Sequence, residues 1–238
     1  AARRNKKTIG MAEFQEAAEK VMMGPERRSR ILTEKEKEIV AYHEAGHALI
    51  ARMTPGADPV QKVTIIARGA TLGYVLRLPE DDRELISKSR FMAQLAVSLG
   101  GRVAEEIVFG DITTSAREDL EHVSHMARAM VTQYGMSDKL GPLTFGEKEE
   151  LVFLGKEIGE QRNYSEEVAQ VIDEEVKTIV NQAYHYAQDV VIRYRHKLTT
   201  IAERLKEEET LDAEDFEAIF ADLPPQPKLV LAPLPVAA

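Results

Sequence analysis

The most constraining stretch of this chain is Tyr42-His43-Glu44-Ala45-Gly46-His47, two histidines four residues apart with a glutamate after the first. On a helix, residues at i and i+4 lie roughly 40° apart around the axis, so His43 and His47 stack one turn apart on one face. Two imidazoles so placed hold one zinc ion, and Glu44 sits one residue round, beside the open coordination position. The frame for such a helix is present. Thr33 reads as its N-cap with Glu36 completing a capping box, and Pro55-Gly56 ends it after about Met53. Ile39, His43, Gly46, His47 and Ile50 then share an inner face, which turns both histidines toward the protein interior.

The chain contains no cysteine, so any zinc must be held by His, Asp or Glu, and disulfides are excluded. Its 238 residues, 44% apolar and 30% charged with no Trp, suit a globular domain that leans toward helix. The net charge of −9 is unevenly spread: eight Lys/Arg and four Glu fall in residues 1–30, leaving the body strongly acidic. A basic arm can meet nucleic acid or an acidic membrane surface, but without a basic recognition helix the reading is a solvated helix end or a junction with a neighbouring domain, and no nucleic-acid partner is expected. No apolar run is long enough to span a membrane and no signal-peptide pattern opens the chain, which starts without Met and reads as a fragment, itself soluble.

In chain order, residues 10–23 predict a short helix with Phe14, Ala17, Ala18, Val21 and Met22 at helical spacing, one that needs a partner surface. Val63–Ile66 and Gly73–Leu78 predict a small hairpin. The stretch Gly73, Tyr74, Val75, Leu76 would leave an edge able to pair with an extended substrate backbone, or serve as a structural flap. Helices are expected over 84–99 and 102–109, with Gly100-Gly101 at the junction, and from a Ser115 cap to about Tyr134. Further helices are expected from a Ser165 cap onward, over 198–205, and from Thr210-Leu211-Asp212 to near Phe220. His125, His185 and His196 read as solvated or structural. Five prolines among the last fifteen residues predict a tail over 223–238 that is disordered or draped over the surface.

A catalytic zinc needs three protein ligands and an open fourth position. The continuation H-x-x-G-x-x-H fails, because Ile50 and Met53 stand where Gly and His would be needed. The candidates for the third ligand are Asp119, Glu105, Glu106 and His122. Asp119 is favoured because it heads an apolar stripe with Val123, Met126, Met130 and Tyr134 in a helix's first turn, where the dipole favours negative charge. Glu105 or Glu106 could instead accept a hydrogen bond from a ligating histidine.

These residues sit among longer matching stretches: Met22-Met23-Gly24-Pro25-Glu26-Arg27-Arg28-Ser29, Tyr42 to His47, Asp58-Pro59-Val60 with Lys62 to Ile66, and Gly100-Gly101-Arg102 with Ala104-Glu105-Glu106-Ile107. They continue with Thr114-Ser115-Ala116 before Asp119, Met130 to Ser137, and Leu140-Gly141-Pro142-Leu143. Together they resemble the proteolytic portion of the FtsH-type membrane-anchored AAA+ zinc proteases, over nearly the whole chain to about Phe220. The resemblance implies a mainly α zinc-peptidase domain over 33–222 with one small hairpin or sheet, preceded over 1–32 by the end of the AAA+ helical subdomain and its linker. It implies one Zn2+ per chain on His43, His47 and Asp119, Glu44 as general base, and polypeptide substrates. It also implies a homohexamer beneath an ATPase ring, at the cytoplasmic face of the inner membrane. The family usually has Gly where this chain has Ser115. ATP would bind only to an AAA+ part outside this chain, since no G-x-x-x-x-G-K-[ST] loop occurs here. The competing expectation is a helical assembly domain with a degenerate H-E-x-x-H, which zinc content separates from the enzyme.

Overall fold

The computed structural model describes residues 7–25, 33–69, 71–79, 85–148, 160–161 and 163–227. Among these the order is α1 (Met11–Met23), α2 (Glu34–Met53), β1 (Val60–Thr64), β2 (Tyr74–Arg77), α3 (Lys88–Ser98), α4 (Gly100–Phe109) and α5 (Arg117–Thr132). Then come β3 (Glu147–Lys148), β4 (Glu160–Gln161), α6 (Glu166–Arg193), α7 (Arg195–Glu208), β5 (Thr210–Asp212) and α8 (Ala213–Ala218). The chain is mainly helical, with a small antiparallel sheet in the order β2-β1-β5 and a two-residue pairing of β3 with β4.

α2 begins as its capping box dictates. The Glu36 N–H donates to Thr33 Oγ1 at 3.2 Å, and the Thr33 N–H donates back to Glu36 Oε2 at 2.8 Å. Its burial exceeds the single inner face that periodicity predicts: every residue from Val40 to Arg52 is buried. α4 packs on one side, α7 on another and β1 on a third, which the small residues Ala41, Ala45, Gly46, Ala48 and Ala51 permit. α4 approaches so closely that a Cβ on Gly46 would lie 2.3 Å from the Gly100 carbonyl oxygen. Leu49, Leu95, Leu99, Met130, Ile172, Leu198 and Ile201 complete the core around it, each large apolar side chain contributing about 1.5–3 kcal/mol by leaving water.

The hairpin forms with Val63 opposite Val75 and Thr64 opposite Tyr74. Residues 210–212, expected to open a helix, instead pair as β5 with Val63 opposite Leu211, and α8 starts only after them. Three residues are too few to show strand alternation, and Leu211 is fully buried by this pairing. β2 is left at the edge, with no strand beyond it among the described residues.

α1 corrects a second expectation. Phe14 and Val21, two of the apolar residues at helical spacing for which a partner surface was expected, are exposed, while Glu19 is buried. Glu19 meets Lys62 Nζ at 2.6 Å, Arg68 Nη2 at 3.1 Å and the Tyr74 hydroxyl at 3.0 Å, so among the described side chains a charged cluster seats α1 on the sheet. At the other end, the start of the proline-rich tail is fastened to the surface. The Arg52 guanidinium donates to the Pro224 carbonyl, and the Gln226 amide donates to the carbonyls of Ala51 and Ala57. The helix expected from 84 begins only at Lys88, where the Ser87 side chain caps it by accepting from the Arg90 N–H; residues 84 and 228–238 lie outside the described residues. No described helix is long and apolar enough to cross a membrane.

Candidate metal centre

The histidine face of α2 points into a cleft of about 570 Å3 between β2 and the start of α5. Each imidazole is fixed through Nδ1. That of His47 lies 2.7 Å from the Val97 carbonyl oxygen, which can only accept, so Nδ1 carries the hydrogen. That of His43 lies 2.7 Å from Glu105 Oε1 and donates to the carboxylate. In the neutral rings both Nε2 atoms therefore present lone pairs, and they face each other at 3.1 Å. Asp119 Oδ2 closes the triangle at 3.3 Å from His43 Nε2 and 3.4 Å from His47 Nε2.

Three converging lone pairs need a cation. Zinc bonds of about 2.0–2.1 Å at the tetrahedral angle place ligand atoms about 3.3–3.4 Å apart, close to all three observed separations. The residues present therefore fit zinc with one position left open, and His43, His47 and Asp119 form the metal-ligand cluster found among the described residues. A proton is the smaller cation for the same place. Burial disfavours it on His43, but the hydrogen bonds to Asp119 and Glu105 and the charges of Glu44 and Asp119 outweigh that and push the ring's pKa up to about 10. Burial likewise opposes the Asp119 charge, yet the fields and hydrogen bonds of the two imidazoles hold its carboxyl well below the usual range.

Glu44, beside the cluster, is buried. Burial pushes its carboxyl above the ordinary 4.5 against the opposing fields of His43 and His47, and Asp119 adds to the rise. β2 reaches it only through a glycine: a Cβ on Gly73 would stand 2.8 Å from the Glu44 side chain. Tyr74 and Val75 also line the cleft, so the edge strand runs along the site, whereas Leu76 is not among the residues that line it.

The four candidates for the third position separate cleanly. Asp119 joins the histidines, Glu105 stands behind His43, Glu106 turns away to accept a hydrogen bond from the Tyr184 hydroxyl, and His122 is exposed. Ser115 does not cap α5. The Thr113 hydroxyl accepts from the Ser115 N–H to start a short 3-10 turn, and Ser115 Oγ donates to Glu105 Oε1 and lies 3.3 Å from His43 Nδ1. Sequence reasoning missed that role, because Ser at a helix start is read as a cap first. It also missed the Val97 carbonyl, a backbone group that leaves no residue signal.

Two histidines from one helix, a carboxylate from the next wall and a buried acid beside an open strand place the domain in the H-E-x-x-H class of metallopeptidase. The chain belongs to peptidase family M41, whose model matches residues 30–219. It is 56% identical over 234 residues to the ATP-dependent zinc metalloprotease FtsH 1 of Sphaerobacter thermophilus, covering 98% of this chain and 36% of that protein. The FtsH 1 of Thermomicrobium roseum is also 56% identical, over the same shares of the two chains. The ATP-dependent zinc metalloprotease FtsH of Chloroflexus aggregans is 58% identical over 229 residues, 94% of this chain and 35% of that protein. The chain thus spans about a third of the length of these relatives.

Proposed function

We propose that this chain is the zinc endopeptidase part of an ATP-dependent, membrane-anchored protease. The observation that carries the reading is the triangle of His43 Nε2, His47 Nε2 and Asp119 Oδ2, whose sides suit tetrahedral zinc. Zinc held there would supply Lewis acidity, lowering the pKa of the attacking water and polarising the scissile carbonyl. Glu44 takes the proton from that water as its oxygen bonds to the carbonyl carbon, then delivers it to the amine nitrogen as the peptide bond breaks. Its raised pKa suits both transfers. Glu105, with Thr113 and Ser115 behind it, keeps the His43 ring in the ligating tautomer. The free edge of β2 offers its backbone to an extended substrate, with Gly73, Tyr74 and Val75 lining the cleft and Leu76 continuing the strand.

The wider assignment rests on the similarity to ATP-dependent zinc metalloproteases and on the resemblance. Residues 33–222 form the peptidase unit, and residues 1–32 continue from an AAA+ domain that binds ATP elsewhere in the protein. Six copies form a ring at the cytoplasmic face of the inner membrane, and the substrates are unfolded or misassembled polypeptides. Zinc analysis combined with digestion of unfolded casein tests the core of this reading. Wild type should hold one zinc per chain and cut, and Asp119→Ala should lose zinc. Glu44→Gln should keep its zinc and cut about 10²–10⁴-fold more slowly. Undiminished cleavage by Glu44→Gln would contradict the assignment, and a wild type without zinc would favour a degenerate assembly domain.

A further inference from the structure

β2 carries one side chain that the chemistry above leaves unused. Tyr74 sends its hydroxyl to Glu19 on one face of the strand, and alternation puts Val75 and Arg77 on the other. Arg77 lines the same cleft as Glu44, His47 and Asp119. Among the described residues Arg117 is the other arginine or lysine lining it, and that side chain is exposed and paired with Glu121 at 3.0 Å. Arg77 has no hydrogen-bond or ion-pair partner among the described residues. Among the described residues, the charges acting on it are those of Asp58 and Asp119. Both are committed elsewhere, Asp58 to Arg90 and Asp119 to the two imidazoles.

A partly buried guanidinium with its planar fork of donors unmade is costly. A carboxylate satisfies both the charge and the fork, in a bidentate geometry that no neutral side chain reproduces. Position along the strand says where it would come from. Gly73 abuts Glu44, and Arg77 lies four residues further on, about 13 Å at about 3.3 Å per residue. An extended substrate at the same pitch places its residue opposite Arg77 within about four positions of the bond cut at Glu44.

We propose that Arg77 is a specificity residue that takes a substrate carboxylate within about four residues of the cleaved bond. This rests on the peptidase reading. Quenched fluorescent peptides carrying Glu, Gln or Lys at one position, from four before to four after the cleaved bond, test it on the zinc-loaded chain. A second pair, with a free or an amidated carboxyl terminus, tells a side-chain carboxylate from a chain end. At one position, or at the terminus, wild type should favour the carboxylate over its Lys or amide counterpart by about tenfold in kcat/KM. Arg77→Lys, which keeps the charge but not the fork, should retain part of the preference, Arg77→Ala should bring the ratio to about one, and Arg77→Glu should invert it toward Lys.

A ratio that is flat in wild type, or unchanged in Arg77→Glu, would overturn the proposal. So would loss of zinc from Arg77→Ala, which would make the guanidinium a structural counter-charge for Asp119. Failure of wild type to cut even the Gln peptides would instead sink the peptidase reading. In that event fluorescence anisotropy of the labelled Glu and Lys peptides, on zinc-loaded wild type and Arg77→Glu, still decides the role of Arg77: tighter Glu binding that Arg77→Glu inverts upholds it, and equal binding refutes it.

Discussion

Glu105 uses both of its oxygens, one on His43 Nδ1 and the Ser115 hydroxyl and the other on the Thr113 N–H at 2.9 Å. Such a clamped carboxylate fixes the ring it serves. Glu105→Ala should therefore weaken zinc binding about 10–100-fold, read by competition with a chromophoric chelator. Without metal, His43 keeps a proton up to about pH 10, and zinc must displace it. Zinc affinity should rise about tenfold per pH unit below that value, and calorimetry in buffers of different ionisation enthalpy near pH 7.5 should show this proton leaving. The raised pKa also bears on the metal-free fold. The stabilisation from protonated His43 is complete below the ordinary 6.5 and is lost as pH rises through about 10. Melting temperatures of the chelated chain should fall across that window; a flat profile would contradict the proton's place in the cluster.

Helix contact, more than any single ligand, holds the histidine face in register. α4 lies against α2 through glycines: a Cβ on Gly101 would fall 2.4 Å from the His43 ring. Gly101→Ala should displace that ring and cost about 1–3 kcal/mol of stability, so the expected result is loss of zinc together with a lower melting temperature. A variant that kept full zinc affinity would show the contact to be soft. Local chemistry made much of this legible beforehand. The capping box at Thr33 and Glu36, the i, i+4 histidines and the Gly100-Gly101 junction are each written within a few residues. Glu19, β5 and Ser115 were not legible, because their roles come from partners far away in the chain: Glu19 with Lys62 and Arg68, Leu211 with Val63, Ser115 with Glu105. For the third ligand, the pattern favoured Asp119 among four candidates without excluding the others, and folding brought Asp119 to both imidazoles.

Across the whole molecule, Glu19 is the point where α1 grips the sheet, and through Tyr74 it also touches the strand that walls the cleft. Removing one partner of a buried ionic cluster typically costs about 3–5 kcal/mol. Glu19→Ala should accordingly release α1, seen as proteolytic cleavage before residue 25 while α2 stays protected. Equal resistance of variant and wild type would show that α1 is held by something else. The absence of cysteine gives the metal triangle a second meaning. A zinc ion held on His43, His47 and Asp119 would tie α2 to the start of α5 and close a loop of about 70 residues, the topological equivalent of a disulfide. Chain-entropy arguments put a cross-link of that span at about 4 kcal/mol. Unlike a disulfide, such a clasp would ignore reductants and open to acid or a chelator, so the domain's endurance would follow the supply of free zinc.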